Sequence, residues 1–296
     1  MITYTTCPVC KSENIQPFFV AEDYTVSNAE FNIFQCKNCT HLFTQNIPAQ
    51  NEIGKYYASE NYISHSDTQT GIVNRLYHIV RKKTLNAKKL LIQKETNKKT
   101  GKILDIGCGT GAFLHYMQMA GWESTGLEPD ETARKKAQEL YNLSPLSSPE
   151  IFNLPQNTFD AITMWHVLEH VHQLHEYVAQ LKHLISDKGS IFIAVPNYTS
   201  HDAKHYGAGW AAYDVPRHLY HFSPTSMKNL LEQHGLTIKK IKPMWFDSFY
   251  VSMLSEKYKY GKSNLLKAFF VGFISNLKTM MNKEKCSSLI YVVGKA

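Results

Sequence analysis

No run in the 296-residue chain approaches the roughly eighteen uninterrupted apolar residues that a membrane-spanning helix requires. Nor is Met1 followed by a basic segment and an apolar one, so no secretory signal is expected and the chain is read as cytoplasmic. Cysteine is scarce, six in all, and a reducing compartment argues against a disulfide framework. Neither sign of charge dominates strongly. The net charge of +7 is spread over many lysine-bearing segments, which permits an anionic substrate without demanding nucleic acid. The apolar share is that of an ordinary folded protein, and the length suits one large domain with appendages.

Four of the cysteines fall into two C-x-x-C pairs, Cys7/Cys10 and Cys36/Cys39. Two tight knuckles of this kind present four sulfurs, a set suited to tetrahedral Zn²⁺ in a closed, structural shell. His41 could replace one cysteine, but four thiolates already complete the coordination. Between the pairs, Phe18–Val20, Tyr24–Val26 and Phe31–Phe34 read as short strands. So small a module cannot bury much apolar area, and a metal crosslink supplies what its core lacks. Residues 1–46 are therefore expected to form a zinc ribbon. Cys108 and Cys286 stand apart, and no chemistry is read into either.

The rest of the chain is organised around Lys102-Ile103-Leu104-Asp105-Ile106-Gly107-Cys108-Gly109-Thr110-Gly111-Ala112-Phe113-Leu114. An apolar run, three glycines at alternate positions and a helical pattern predict a buried strand, a tight turn and a helix N-terminus. Together these make a cradle in which a ligand can approach the backbone. The letters also satisfy the dinucleotide fingerprint. Asp105 decides against that reading, because a carboxylate at the mouth of the strand repels a pyrophosphate and welcomes an ammonium group. The next strand, Ser124–Glu128, ends in a carboxylate able to accept both hydroxyls of a ribose.

Leu-Asp-Ile-Gly-Cys-Gly-Thr-Gly (104–111), Gly-Leu-Glu-Pro-Asp (126–130), Phe-Asp-Ala-Ile (159–162) and Val-Leu-Glu-His-Val (167–171) occur in this order. The pattern resembles the class I S-adenosylmethionine-dependent methyltransferases, over roughly residues 70 to 240. The resemblance implies S-adenosylmethionine as cofactor. Asp105 and the backbone of Gly107, Gly109 and Gly111 would hold its methionine end and Glu128 its ribose. Leu127 and Pro129 would flank the adenine, with Glu150 near the adenine amine and Ile151 beside it among the cofactor-binding residues. Trp165 and His166 would line the methyl-donor end, while His170 is read as a hydrogen-bonded core histidine.

The implied fold class is α/β, a doubly wound Rossmann-like sheet, mostly parallel with the last strand antiparallel, plus the small N-terminal ribbon. Residues 47–101 are expected to be a linker and an amphipathic helix from Ile72. An aromatic cluster in this stretch (Tyr56, Tyr57, Tyr62 and His65) is a candidate lid. The methyltransferase domain would run from 102 to 296. Its strands are expected near 102–106, 123–127, 144–146, 159–164, 190–195, 236–241 and 288–293. Its helices are expected near 112–120, 130–141, 173–185 and 224–234. Two insertions stand out. Residues 196–223 leave the fifth strand at the cofactor end and are expected to line a substrate pocket, with Trp210, Tyr213 and Arg217 as binding residues. Residues 247–282 are helical, and plain packing is preferred to a pocket cap, a dimer contact or a peripheral membrane contact through 264–281.

Methyl transfer from a sulfonium is an in-line displacement, so the protein supplies positioning and, for a hydroxyl or acidic carbon, a base. His166, His218 and His221 are the candidates, with Asp214 to orient one of them and Arg217 to bind an anionic group. The position after the fourth strand lacks the Asn/Asp-Pro-Pro-aromatic motif that the resemblance associates with base N-methylation. The expectation is therefore O- or C-methylation of a small, sugar-like or phenolic molecule. The alternatives are an RNA methyltransferase that uses the ribbon for recognition, a nicotinamide oxidoreductase, and a non-catalytic binding protein on the same fold.

Overall fold

The computed structural model describes residues 1–57, 72–262 and 264–296, with the backbone alone from 72 to 81. Tyr62 and His65 of the expected lid lie outside the described residues. The N-terminal segment forms three strands, β1 (Ile15–Glu22), β2 (Glu30–Cys36) and β3 (Leu42–Thr44). Helix α1 (Ile72–Thr96) leads into β4 (Lys102–Ile106), α2 (Ala112–Met119), β5 (Glu123–Leu127) and α3 (Glu131–Tyr141). Then follow β6 (Phe159–Trp165), α4 (Leu174–Leu184), β7 (Ile185–Pro196) and α5 (His201–Tyr206). The chain continues through β8 (Tyr220–His221), α6 (Pro224–Gln233) and β9 (Leu236–Pro243). It closes with α7 (Asp247–Tyr260), α8 (Leu265–Met281) and β10 (Ser288–Lys295).

The main sheet has the order β5-β4-β6-β7-β10-β9. β4, β5, β6 and β7 pair in parallel, and β10 runs antiparallel to both β7 and β9. β4, in the interior of the sheet, is buried from Ile103 onward, which is why its sequence reads as a continuous apolar run. One face packs against α4 and α6, the other against α1 and α2. Local signals agree with the helix ends. Asp130 accepts a hydrogen bond from the Ala133 N–H at the start of α3, and Ser223 and Ser226 form a capping box at α6. The strand expected at 144–146 is reduced to a single bridge between Leu146 and Leu127. Pro145 has no N–H to extend a ladder there.

The largest departure concerns 196–223. It does not stand over the sheet as a separate pocket loop. Its strand β8 pairs antiparallel with β3, Leu42 opposite His221 and Phe43 opposite Tyr220, and completes a four-stranded sheet in the order β1-β2-β3-β8. The N-terminal sheet therefore extends past the boundary expected at residue 46. Cys7, Val9, Phe43 and Ile47 share one apolar core with Leu168, Leu174, Tyr220 and Phe222. Two buried polar centres fix this arrangement. The Asp202 carboxylate accepts hydrogen bonds from Trp210 Nε1, Ser275 Oγ and Ser287 Oγ. The Arg217 guanidinium donates to Asp23, to both oxygens of Asp214 and to the Tyr56 carbonyl at 2.7–3.0 Å.

Helix α8 turns an unusual face outward. Its small residues Ala268, Gly272, Ser275 and Thr279 are buried, while Leu266, Phe269, Phe270, Phe273 and Leu277 are exposed. The insertion does pack against the rest of the chain, but α8 does so through its small residues rather than its large ones. α7 crosses too close for them, since a Cβ on Gly272 would meet the Phe249 backbone at 3.1 Å. Among the described residues no helix is long and apolar enough to cross a membrane.

Removing one partner of a buried ion pair strands the other's charge. Asp23→Ala should therefore destabilise the protein by about 3 kcal/mol, read as a lower urea midpoint.

Candidate active site

The carboxyl ends of β4, β5 and β6 meet at one edge of the sheet, and the expected cofactor residues gather there. Gly107 and Gly109 both have positive φ, at 70° and 55°. A Cβ on Gly107 would strike Val167 at 2.5 Å, whereas one on Gly109 would meet nothing within 4 Å. Gly107 is thus required by packing, and Gly109 leaves open space where a side chain would stand. No side chain caps the start of α2. Glu128 folds back onto the turn and accepts hydrogen bonds from the N–H groups of Gly109 (2.8 Å) and Asp130 (3.0 Å). Burial pushes its carboxyl up from the ordinary value, against those backbone bonds.

Asp105 is 2% exposed and accepts a hydrogen bond from Thr163 Oγ1 at 2.6 Å. Burial raises its carboxyl to about 7, although the Thr163 bond and the Lys88 charge pull the other way. The Lys88 ammonium comes from α1 and lies 4.1 Å from the centre of the Trp165 ring. Burial lowers it to about 8, partly offset by Asp105 and Asp247. An amphipathic pattern alone would leave the lysines of α1 on its polar side. The helix instead delivers one into the cradle, a cation between an aromatic face and a carboxylate.

The outer residues of the expected cofactor set are more dispersed. Pro129 is exposed beside Glu128, and both carbonyls accept from Arg134. Glu150 lies on a short turn, Ser148–Asn153, beside β5, where its carboxylate accepts from Asn153. The Ile151 side chain is wholly buried in the core.

A second cluster lies just past β6. His166 has φ 58° and places its two ring nitrogens 3.3 Å from Glu169 and 3.2 Å from Asp247. Burial alone would keep the ring neutral, but the two carboxylates outweigh it and raise its pKa to about 10. Glu169 is held below the ordinary carboxylate range, since His166, His170 and His218 outweigh burial. The rings of His170 and His218 lie edge to face at 4.6 Å. His170 is therefore more than a core histidine, because its ring faces this cluster. Asp247 and Glu169 escaped the sequence reading. Asp247 sits in an insertion, and Glu169 had served only as a letter in a motif.

The remaining expected residues are engaged elsewhere. His221 is buried with Nε2 3.1 Å from Thr44 Oγ1, beside the Tyr213 ring, inside the N-terminal sheet contact. Burial holds its pKa well below the ordinary value, with His218 and His41 acting in the same direction. Trp210 and Tyr213 pack edge to face in the core under α7 and α8. Arg217 is 1% exposed, and its donors are taken by Asp23, Asp214 and Tyr56, so it serves as a structural strut rather than an anion receptor. Asp214 chiefly binds Arg217 and lies 3.9 Å from His218.

The four N-terminal cysteines converge. Cys7 and Cys39 sulfurs are 3.5 Å apart, as are those of Cys10 and Cys36, and all four lie within 4.8 Å of one another. A tetrahedral zinc with Zn–S of about 2.3 Å needs sulfurs about 3.8 Å apart, so the set fits that ion. None of the six cysteines is paired in a disulfide.

Comparison with known proteins agrees with this architecture. The model of the methyltransferase domain matches residues 77–241, more than half of the chain. The chain belongs to that family, the class I S-adenosylmethionine-dependent methyltransferases. Among curated relatives, the mitochondrial ubiquinone biosynthesis O-methyltransferase of Bos taurus is 27% identical over 167 residues, 50% of this chain and 44% of that protein. The corresponding protein of Actinobacillus pleuropneumoniae serotype 7 (strain AP76) is 28% identical over 188 residues, 56% of this chain and 77% of that one. The chain spans about half the length of the mitochondrial relatives it matches. Among solved structures, magnesium protoporphyrin IX methyltransferase from Synechocystis PCC 6803, with bound SAH, superposes with a TM-score of 0.51 at 14% identity. That match covers 81% of this chain and 97% of the other, and shows a shared fold.

Asp105 carries a direct cost. Its folded pKa of about 7 lies above the unfolded value of about 3.9, so the proton is held more tightly in the folded state. Its contribution to stability is complete below the unfolded pKa and lost as pH rises through the folded one. Asp105→Asn should stabilise the ligand-free protein relative to wild type at about pH 8 and much less at about pH 4, a difference that thermal scans at both would register.

Proposed function

We propose that this chain transfers the methyl group of S-adenosylmethionine to a hydroxyl oxygen of a small, largely apolar molecule such as a phenol. The carrying observation is the edge where Asp105, the open Gly109 turn and Glu128 lie side by side, with His166 beyond them. An ionised Asp105 would receive the cofactor's ammonium group, and Glu128 would exchange its bonds to the turn for the two ribose hydroxyls. Lys88 occupies the cation position beside Asp105 and Trp165. A sulfonium or ammonium entering that space would displace it or share the carboxylate with it.

The acceptor side rests on the second cluster. O-methylation requires the hydroxyl to lose its proton as the new O–C bond forms and the S–C bond breaks. His166, Glu169, His170 and His218 are the groups placed to manage that charge. Both nitrogens of His166 face carboxylates, which keeps the ring protonated and unsuited to collect a proton. Exposed Trp245, Phe246 and Tyr250 flank Asp247, whose carboxylate touches His166, so an apolar surface begins at the mouth of the site. That surface favours an apolar acceptor over a sugar, in line with the ubiquinone biosynthesis O-methyltransferase name of the relatives. The outward face of α8 continues it, and contact with a lipid surface would bring such an acceptor to the site.

Calorimetry tests the cofactor half. S-adenosylhomocysteine should bind the folded, zinc-loaded protein and NAD should not, and Glu128→Ala should weaken the binding by about tenfold or more. No heat with S-adenosylhomocysteine would defeat the proposal.

A further inference from the structure

The cluster past β6 contains a group that packing does not explain. Glu169 is fully buried, yet neither carboxylate oxygen receives a hydrogen bond from any described residue. The nearest nitrogen, His166 Nδ1 at 3.3 Å, is within ion-pair range but misaligned for a bond. A buried, unsatisfied carboxylate is costly and calls for a partner. One Glu169 oxygen, one His170 nitrogen and one His218 nitrogen lie within 4.8 Å of one another.

Both rings are oriented from behind. His218 Nδ1 is 2.9 Å from the Ala212 carbonyl, and His170 Nδ1 is 3.0 Å from the Arg217 carbonyl. A carbonyl only accepts, so each Nδ1 carries the proton, with the Tyr57 hydroxyl, also 3.0 Å from His170 Nδ1, as a second acceptor, and each Nε2 keeps its lone pair. Backbone carbonyls fix the rings of metal-bound histidines in this same way. The Leu219 N–H donates to the Glu169 carbonyl at 2.8 Å, which ties the loop bearing His218 to the turn bearing Glu169 and His170.

We propose that Glu169, His170 and His218 bind a divalent transition-metal cation, at a site distinct from the four cysteines. Two imidazoles and one carboxylate suit Mn²⁺, Fe²⁺, Co²⁺ or Zn²⁺ better than Mg²⁺ or Ca²⁺. Three protein ligands leave coordination positions for oxygens of a bound molecule. The site adjoins His166 and Asp247, where the acceptor is placed above, and the role of the cation rests on that reading. It would bind the acceptor's hydroxyl oxygen and ease release of its proton to water. The oxygen then attacks the methyl carbon, and the S–C electron pair returns to sulfur.

The test uses the full-length protein holding one zinc per chain. Titration with Mn²⁺, followed by electron paramagnetic resonance, should show one further site per chain, and its pulsed spectrum should contain couplings to imidazole nitrogen. Glu169→Gln and His218→Ala should each weaken Mn²⁺ binding by about a hundredfold while keeping the single zinc. Co²⁺ at the same site should give weak visible bands without thiolate charge-transfer absorption. Absence of a second site in the wild type, a spectrum without imidazole nitrogen, or unchanged affinity in the variants would each overturn the proposal. The wild-type spectra decide the matter even if a variant does not fold. Binding of S-adenosylhomocysteine, measured on the same samples, separates the two readings. Cofactor binding without a second cation removes only the metal site, and the reverse removes only methyl transfer.

Discussion

A guanidinium held between two carboxylates from distant parts of the chain governs the arrangement of this protein. Arg217 joins Asp23, in the turn after β1, to Asp214, in the loop that precedes β8. All three are committed to one another, and the next residue is His218. The strut therefore does more than fasten the N-terminal sheet to the main domain. It fixes where the His218 imidazole stands relative to Glu169 and His170. The cysteine cluster contributes from the other side, because Cys7 and Cys39 belong to the same apolar core as Leu168. Structural module and chemical cluster are two ends of one packed body.

The cofactor edge obeys a different constraint. Asp105 is buried where a carboxylate is unwelcome, and its surroundings offset that only in part, through Thr163 and Lys88. A cation brought beside such a carboxylate would offset more of that cost, a common relation between stability and function. Glu128 shows a milder form of the same tension. Its oxygens rest on backbone N–H groups of the turn, so a hydroxyl that drew them away would have to offer at least as much in exchange.

The sequence made the central sheet legible because β4, β6 and α2 combine strong local signals with burial, and their spans fell within a residue or so of those expected. The glycine turn and both carboxylates of the cofactor edge were legible for the same reason, since each sits at a fixed offset from a strand end. What escaped depends on contacts between distant segments. Nothing in Tyr220-His221 announces that these two residues pair with Leu42 and Phe43, and nothing near Arg217 points to Asp23. The aromatic and charged residues of 196–223 looked like a pocket because a ligand wall and a buried interdomain contact draw on the same residue types. Lys88 and Asp247 were hidden by their settings, a basic helix and an insertion. The alternation of large and small residues on α8 was visible, but which face would be covered depended on how closely α7 passes.

The completion of the N-terminal sheet by β8 bears on how the chain is made. A ribosome emits residues 1–46 well before β8, because the partner of β3 emerges some 175 residues later, at a few to about twenty residues per second. For that interval the edge of β3 is unpaired, a hazard for association with other nascent chains. Early capture of zinc by the knuckles would hold the incomplete module together while it waits. The order of events in the cell would then be metal first, sheet closure last.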